Sequence, residues 1–146
     1  MAQIKNLNKV LNDLTKFGKE AENEIEDAVI KASANIELDA KNNAPVDLGQ
    51  LRNSINTRSI NTLNKAVGTS LKYAPYQEFG TGASVDLSYL TEAEYPSSYA
   101  SQFRRQGKRQ VNIPAQPFLF PALIKNRSTL IDDLKKSLKD LTNKYN

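Results

Sequence analysis

Asn43-Ala44-Pro45-Val46-Asp47-Leu48-Gly49-Gln50-Leu51-Arg52-Asn53-Ser54-Ile55 is the stretch that divides this chain. Proline sterically drives the residue before it out of the α region, so a helix arriving from upstream ends at Ala44. Asp47-Leu48-Gly49 reads as a turn, because Gly49 takes positive φ at no steric cost. Leu51 begins a new apolar pattern of a different kind. A helix therefore gives way to sheet-forming sequence here, and the expected fold class is α+β: a small antiparallel sheet packed by a long N-terminal helix and a C-terminal helix, with a long mobile loop.

Upstream, apolar or small residues recur at Ile4, Leu7, Leu11, Leu14, Gly18, Ala21, Ile25, Ala28 and Ala32. Steps of three and four mark one helical face. Val10, Phe17, Val29 and Ile36 widen it, as in a globular core helix. The seam also has the spacing of a self-associating coiled coil, although it is poor in large residues. Gly18 costs roughly 1 kcal/mol relative to alanine. The helical region 3–42 is therefore expected in two pieces, near 3–16 and 19–42.

Downstream, the hairpin region is expected over 51–71. Ser54–Ile60 and Lys65–Leu71 read as strands joined by the turn Asn61-Thr62-Leu63-Asn64. Gly68 suggests a bulge or a close backbone approach. Tyr73-Ala74-Pro75-Tyr76-Gln77-Glu78-Phe79-Gly80-Thr81-Gly82 follows as an aromatic–proline corner spanning 73–82. Pro75 suits the first helical position and would set Tyr76 and Phe79 on one side. Gly80 and Gly82 stop this helix, and Glu78 is expected to be half buried or pinned to a nearby donor.

Residues 83–113 lack periodicity and are expected as an extended loop, with Val111-Asn112-Ile113 as a returning strand. A loop this long in a compact domain is commonly functional or disordered. It carries Tyr89, Tyr95, Tyr99 and Phe103, then Arg104, Arg105, Lys108 and Arg109. Tyrosine and arginine are enriched where interfaces concentrate their energy, so these eight residues are the candidate interface. Region 114–144 closes the chain as a proline-rich clamp and a helix. Pro117, Phe118 and Pro121 fix the passage, and Pro121 is expected to open the helix. Leu123, Leu130, Leu134, Leu138 and Leu141 form its stripe.

The chain has 146 residues, enough for one domain with a modest core, and a 39% apolar fraction. It has neither cysteine nor histidine. That removes disulfides, thiolate chemistry and the commonest general base and metal ligand. No apolar run reaches the roughly 20 residues that span a bilayer, and residues 1–6 have no signal-peptide core, so a soluble, unexported chain with no membrane partner is expected. The net charge of +4 is uneven: Glu20, Glu22, Glu24, Glu26 and Asp27 crowd one segment, while 95–131 holds no acid. Such asymmetry steers complementary faces together or attracts nucleic acid.

Nothing here points to catalysis. There is no histidine to activate a serine, no Gly-x-Ser-x-Gly turn and no phosphate-binding glycine loop. Asp86, Glu92 and Glu94 are too loosely spaced to suggest a metal site. No enzyme activity and no cofactor are expected. The rival to protein association is a nucleic-acid-binding accessory role, with the basic loop 103–109 contacting phosphates and its aromatics stacking on bases.

Taken in order, these motifs resemble the siphophage head–tail joining or tail-completion family of the HK type (gene product ten-like). Ala44 to Ile55 is similar to that family's A-P-V-x-T-G-x-L-R-x-S-I turn, with Leu48 in place of its small polar residue. Ala66-Val67-Gly68, Tyr73 to Thr81, and Ala115-Gln116-Pro117-Phe118-Leu119-Phe120-Pro121-Ala122 follow in the family's order. The resemblance implies a structural virion protein, made in the host cytoplasm and placed at the head–tail junction. It further implies a neck ring, commonly sixfold, of copies that are compatible with a monomer in solution. The implied neighbours are a head-completion or connector protein and a tail terminator or tail tube protein, with nonspecific DNA contact possible in a channel. The structural motif residues are then Pro45, Gly49, Leu51, Tyr73, Pro75, Tyr76, Glu78, Phe79, Gly80, Pro117, Phe118 and Pro121. On this reading, deleting Ser84 to Gln110 would leave the domain folded but block joining.

Overall fold

A computed structural model describes residues 6–46, 49–90, 97–104 and 111–145. Helix α1 runs from Leu7 to Asn43, α2 from Gln50 to Ser54, α3 from Ala74 to Phe79, α4 from Ser97 to Ser101 and α5 from Leu119 to Tyr145. Strands β1 (Asn56–Ser59) and β2 (Lys65–Gly68) form a two-stranded antiparallel sheet. Single 3-10 turns occupy Gly82–Ser84 and Ser88–Leu90.

The expected break in the first helix is absent: α1 is continuous over 37 residues, roughly 55 Å at 1.5 Å per residue. A single glycine lowers helix stability without removing a hydrogen bond, and the flanking residues on both sides favour the helix. The stop comes where proline imposes it. Ala44 is extended at φ −66° and ψ 136°, and its N–H still bonds Ala40 O at 3.0 Å.

The α1 and α5 helices pack antiparallel along a polar seam. Glu20 meets Lys144 at 2.8 Å, Lys31 meets Asp133 at 2.7 Å, and Asp39 meets Lys125 at 3.0 Å. Asp39 also accepts the Asn126 side-chain amide at 2.7 Å, and that amide donates to Ala122 O at 2.9 Å. Asn126 is thereby buried with its donors used. At the far end the Phe17 and Tyr145 rings meet edge to face, 5.6 Å between centroids.

The hairpin is shorter than 51–71. Gln50–Ser54 is helical, started by Gly49 at φ +68°, and the strands pair only from Asn56↔Gly68 to Ser59↔Lys65. Asn61 sets the turn: its Oδ1 accepts the N–H groups of Leu63 and Asn64 at 3.0 and 2.9 Å. Alternation turns Thr57 and Val67 toward α1. The Thr57 hydroxyl reaches Ser33 O, and Val67 packs on the main core. Ser54 and Thr69 hydroxyls, 2.6 Å apart, tie α2 to the base of the hairpin. That core comprises Ala40, Ala44, Leu51, Ile55, Ala74, Phe118 and Ala122. Small residues on α1 and α5 let Phe118 and Ile55 fill the centre between them.

Three further expectations change. Val111–Ile113 is not a strand, yet it is tied down: Thr81 N–H bonds Ile113 O at 2.9 Å, and Thr81 Oγ1 accepts Ile113 N–H at 2.9 Å. The described parts of 83–113 contain helical turns instead of an irregular loop, because apolar side chains within them find a second core. The last helix opens at Leu119, so Pro121 sits inside its first turn, where a missing N–H costs nothing.

Candidate functional site: the aromatic corner and its carboxylate clamp

Pro75 enters the first turn of α3, and Gly80 ends that helix at φ +76° and ψ −173°. No other residue fits at Gly80. A Cβ there would lie 2.6 Å from Ser84 O and 2.8 Å from both Ile113 O and Ala115 N. Two chain segments, at Ser84 and at 113–115, thus close on one glycine. Gln116 N–H bonds Gln77 O at 2.8 Å, and the two glutamine side chains meet at 2.6 Å, extending the junction to the proline clamp.

Glu78 is the centre of this junction. It is 3% exposed, and its carboxylate accepts three backbone N–H groups: Phe118 at 2.8 Å and Leu119 at 2.9 Å on Oε2, Phe120 at 3.1 Å on Oε1. These are orphan donors at the start of α5, which a side chain of the helix itself would normally cap. A residue forty positions upstream caps α5 instead, and negative charge there also suits the helix dipole. Burial pushes the Glu78 carboxyl above its ordinary value, and the three N–H bonds oppose that rise.

The second core grows from Phe79, with Leu90 and Ala100 fully buried beside it and Leu87, Tyr89, Phe103 and Phe120 packed around. Phe103 stacks on Phe79 at 5.5 Å and meets Tyr76 edge-on at 5.2 Å. Gly82 N–H bonds Phe103 O at 3.2 Å. The segment 97–104 is therefore seated on the corner by aromatic packing, which contributes about 0.5–1.5 kcal/mol per ring pair beyond area burial.

The predicted interface residues separate into distinct groups. Tyr89 is structural: its hydroxyl donates to Glu78 O at 2.9 Å, and burial with the nearby Glu78 and Asp86 charges raises its pKa. Phe103 is part of the second core. Tyr99 touches Phe79 and Phe103 yet stays 45% exposed, and Arg104 is exposed. Tyr95, Arg105, Lys108 and Arg109 lie outside the described residues. Tyr76, 47% exposed, and Tyr99 both meet the Phe103 ring edge-on and form an exposed aromatic rim on the corner, and Tyr73, which precedes α3, is 43% exposed. Leu90 and Ala100 were missed from sequence, since neither lies in a periodic stretch.

The arrangement holds backbone. Both Glu78 oxygens are committed to N–H donors, and the Tyr89 proton to a carbonyl. Among the described residues no group of carboxylates has the geometry to hold a metal ion. No helix among them is long and apolar enough to cross a membrane.

No curated protein and no solved structure matches the chain. A family model described as "Bacteriophage HK97-gp10, putative tail-component" matches residues 8–80, which takes in α1, the Pro45–Gly49 stop, the hairpin and the corner through Gly80. The chain belongs to this bacteriophage HK97-gp10 family of structural tail components.

Proposed function

We propose that this virion protein completes the tail at the head–tail joint, as one copy in a neck ring, and docks through the aromatic rim of the corner. Family membership supports a structural role among other virion proteins. The observation that carries the finer reading is the rim itself: Tyr76 and Tyr99 pack edge-on against Phe103, which is stacked on Phe79, and both stay half exposed, with the exposed Arg104 next in sequence to Phe103. Tyrosine and arginine on a fixed base supply contact area at little entropic cost, the composition of interface hot spots. The neighbours would be further copies in a closing, head-to-tail ring of six, a head-completion or connector protein on one side, and a tail terminator or tail tube protein on the other.

The deletion of Ser84 to Gln110 is not the clean test the sequence suggested, because it removes Leu90, Ala100 and Phe103 from around Phe79. The decisive variant is Tyr76→Ala with Tyr99→Ala and Arg104→Ala in phage. Separated heads and tails should accumulate while the purified variant keeps its helical signal. Normal yields of joined, infectious particles, from this variant and from phage lacking the chain altogether, would reject the reading.

A further inference from the structure

Two of the ion pairs between α1 and α5 frame a patch of uncompensated charge. On α1, Glu20, Glu24, Asp27 and Lys31 are spaced four, three and four residues apart and so share one flank. On α5, Asp133, Ser137, Asp140 and Lys144 repeat that spacing. The ends of the two series pair, Glu20 with Lys144 at 2.8 Å and Lys31 with Asp133 at 2.7 Å, so the series lie side by side. Their interiors hold three carboxylates, Glu24, Asp27 and Asp140, and no cation. All three are exposed, and none has a hydrogen-bond or ion-pair partner among the described residues.

The opposite charge gathers at the sheet. Residues 49–77 contain Arg52, Arg58, Lys65 and Lys72 and no acid. Thr57 and Val67 turn toward α1, so Arg58, Ala66 and Gly68 face away from it. These three border an open hollow of about 400 Å³. Its floor is low: a Cβ built on Gly68 would meet nothing within 4 Å. Arg58 is exposed there and, like Arg52 and Lys72, has no ion-pair partner among the described residues.

We propose that the outer face of the sheet docks a second copy of this chain, taking the acidic flank of that copy's α1–α5 pair against Arg58. The charges are complementary: an acid-free cationic face meets a flank whose middle holds only carboxylates. The two surfaces cannot satisfy each other within one chain. The sheet itself stands between Arg58 and its own α1. Thr57 meets α1 at Ser33 and Glu37, whereas Lys31 on the acidic flank precedes Ser33 by two residues, about 200° around the helix. Sheet and flank therefore lie on opposite sides of α1. Each copy offers its sheet to one neighbour and its flank to the next, a heterologous contact of the kind that closes into rings. This names the copy-to-copy contact of the ring proposed above and rests on that reading.

Charge reversal tests it. Sedimentation of the full chain at low ionic strength should show concentration-dependent association that added salt weakens. Arg58→Glu alone, and Asp27→Lys with Asp140→Lys, should each weaken association by about tenfold or more, because like charges then face each other. Both should keep the helical signal, since all three side chains are exposed. The three changes in one chain restore opposite charges and should recover association. A chain that stays monomeric at every concentration, reversals without effect, or a triple variant that fails to recover would each overturn the proposal. So would Arg58→Glu losing affinity for a labelled DNA duplex with self-association unchanged, which would give this face to nucleic acid. Phage separate the two readings: normal joining with Arg58→Glu, beside failed joining with the Tyr76, Tyr99 and Arg104 variant, removes this contact and leaves the neck role standing.

Discussion

The carboxylate of Glu78 accepts the backbone N–H of Phe118 at 2.8 Å, and through this bond the corner following the sheet caps the helix that ends the chain. The start of α5 and the end of α3 are thus one structural unit. Glu78→Gln keeps the shape but turns an amide donor toward one N–H, and should cost about 1–3 kcal/mol. Glu78→Ala strands all three donors in a buried site and should cost more, about 3 kcal/mol or above. Urea unfolding of both variants checks the order.

The same carboxyl gives a distinctive pH signature. Its folded pKa lies above the ordinary 4.5, so between those two values the folded chain holds more protons than the unfolded one. Its contribution to stability is therefore greatest below that window and falls as pH rises through the folded pKa. Glu20, Glu37, Asp39 and Asp86 are held below their ordinary values, mainly by hydrogen bonds from Lys144, Lys41, Asn126 and Ser88 respectively. Their contributions are present above the ordinary carboxylate pKa values and are lost as pH falls through the lowered ones. In paired titrations of stability, the gap between the natural chain and Glu78→Gln should narrow as pH rises above 4.5; a gap that widens instead refutes the assignment.

Gly18 is a helix-interior glycine with no tertiary reason to be glycine. A Cβ there meets nothing within 4 Å. Gly18→Ala should raise stability by about 0.5–1 kcal/mol, read as a higher melting temperature.

Gly80 is the opposite case. Positive φ, and backbone atoms only 2.6–2.8 Å from where a Cβ would sit, leave alanine no place. Gly80→Ala should destabilise by about 3 kcal/mol or more and loosen the 81–113 contacts, visible as faster amide exchange at Thr81 and Ile113.

Phe103 holds the seated segment. Phe103→Ala removes its stacking on Phe79 and its edge contact with Tyr76, at a cost of about 2–3 kcal/mol. Limited proteolysis should then cut near 97–104 at rates the parent chain resists, with α1 and α5 intact.

Signals that act within a few residues were legible in advance. Pro45 ended α1, Asn61 to Asn64 turned the hairpin, and Gly80 ended the corner helix, each by a local steric or hydrogen-bonding rule. Gly18 misled because propensity is a weak prior beside a helix stabilised along its length. Tyr89 and Phe103 read as surface aromatics for want of periodicity. They are covered because Phe79 and Phe120, forty-one positions apart in sequence, meet and give them a common wall.

The sequence by itself determined where the first helix stops, where the hairpin turns and that a corner helix and a final helix follow, since proline stop, turn and leucine repeat are written in backbone sterics and periodic burial. Tertiary structure alone decided that Glu78 caps α5 and that 97–104 sits on the corner. Those outcomes depend on which distant segments share space, and a carboxylate or a phenylalanine has the same spelling whether its partner is solvent or a segment forty positions away.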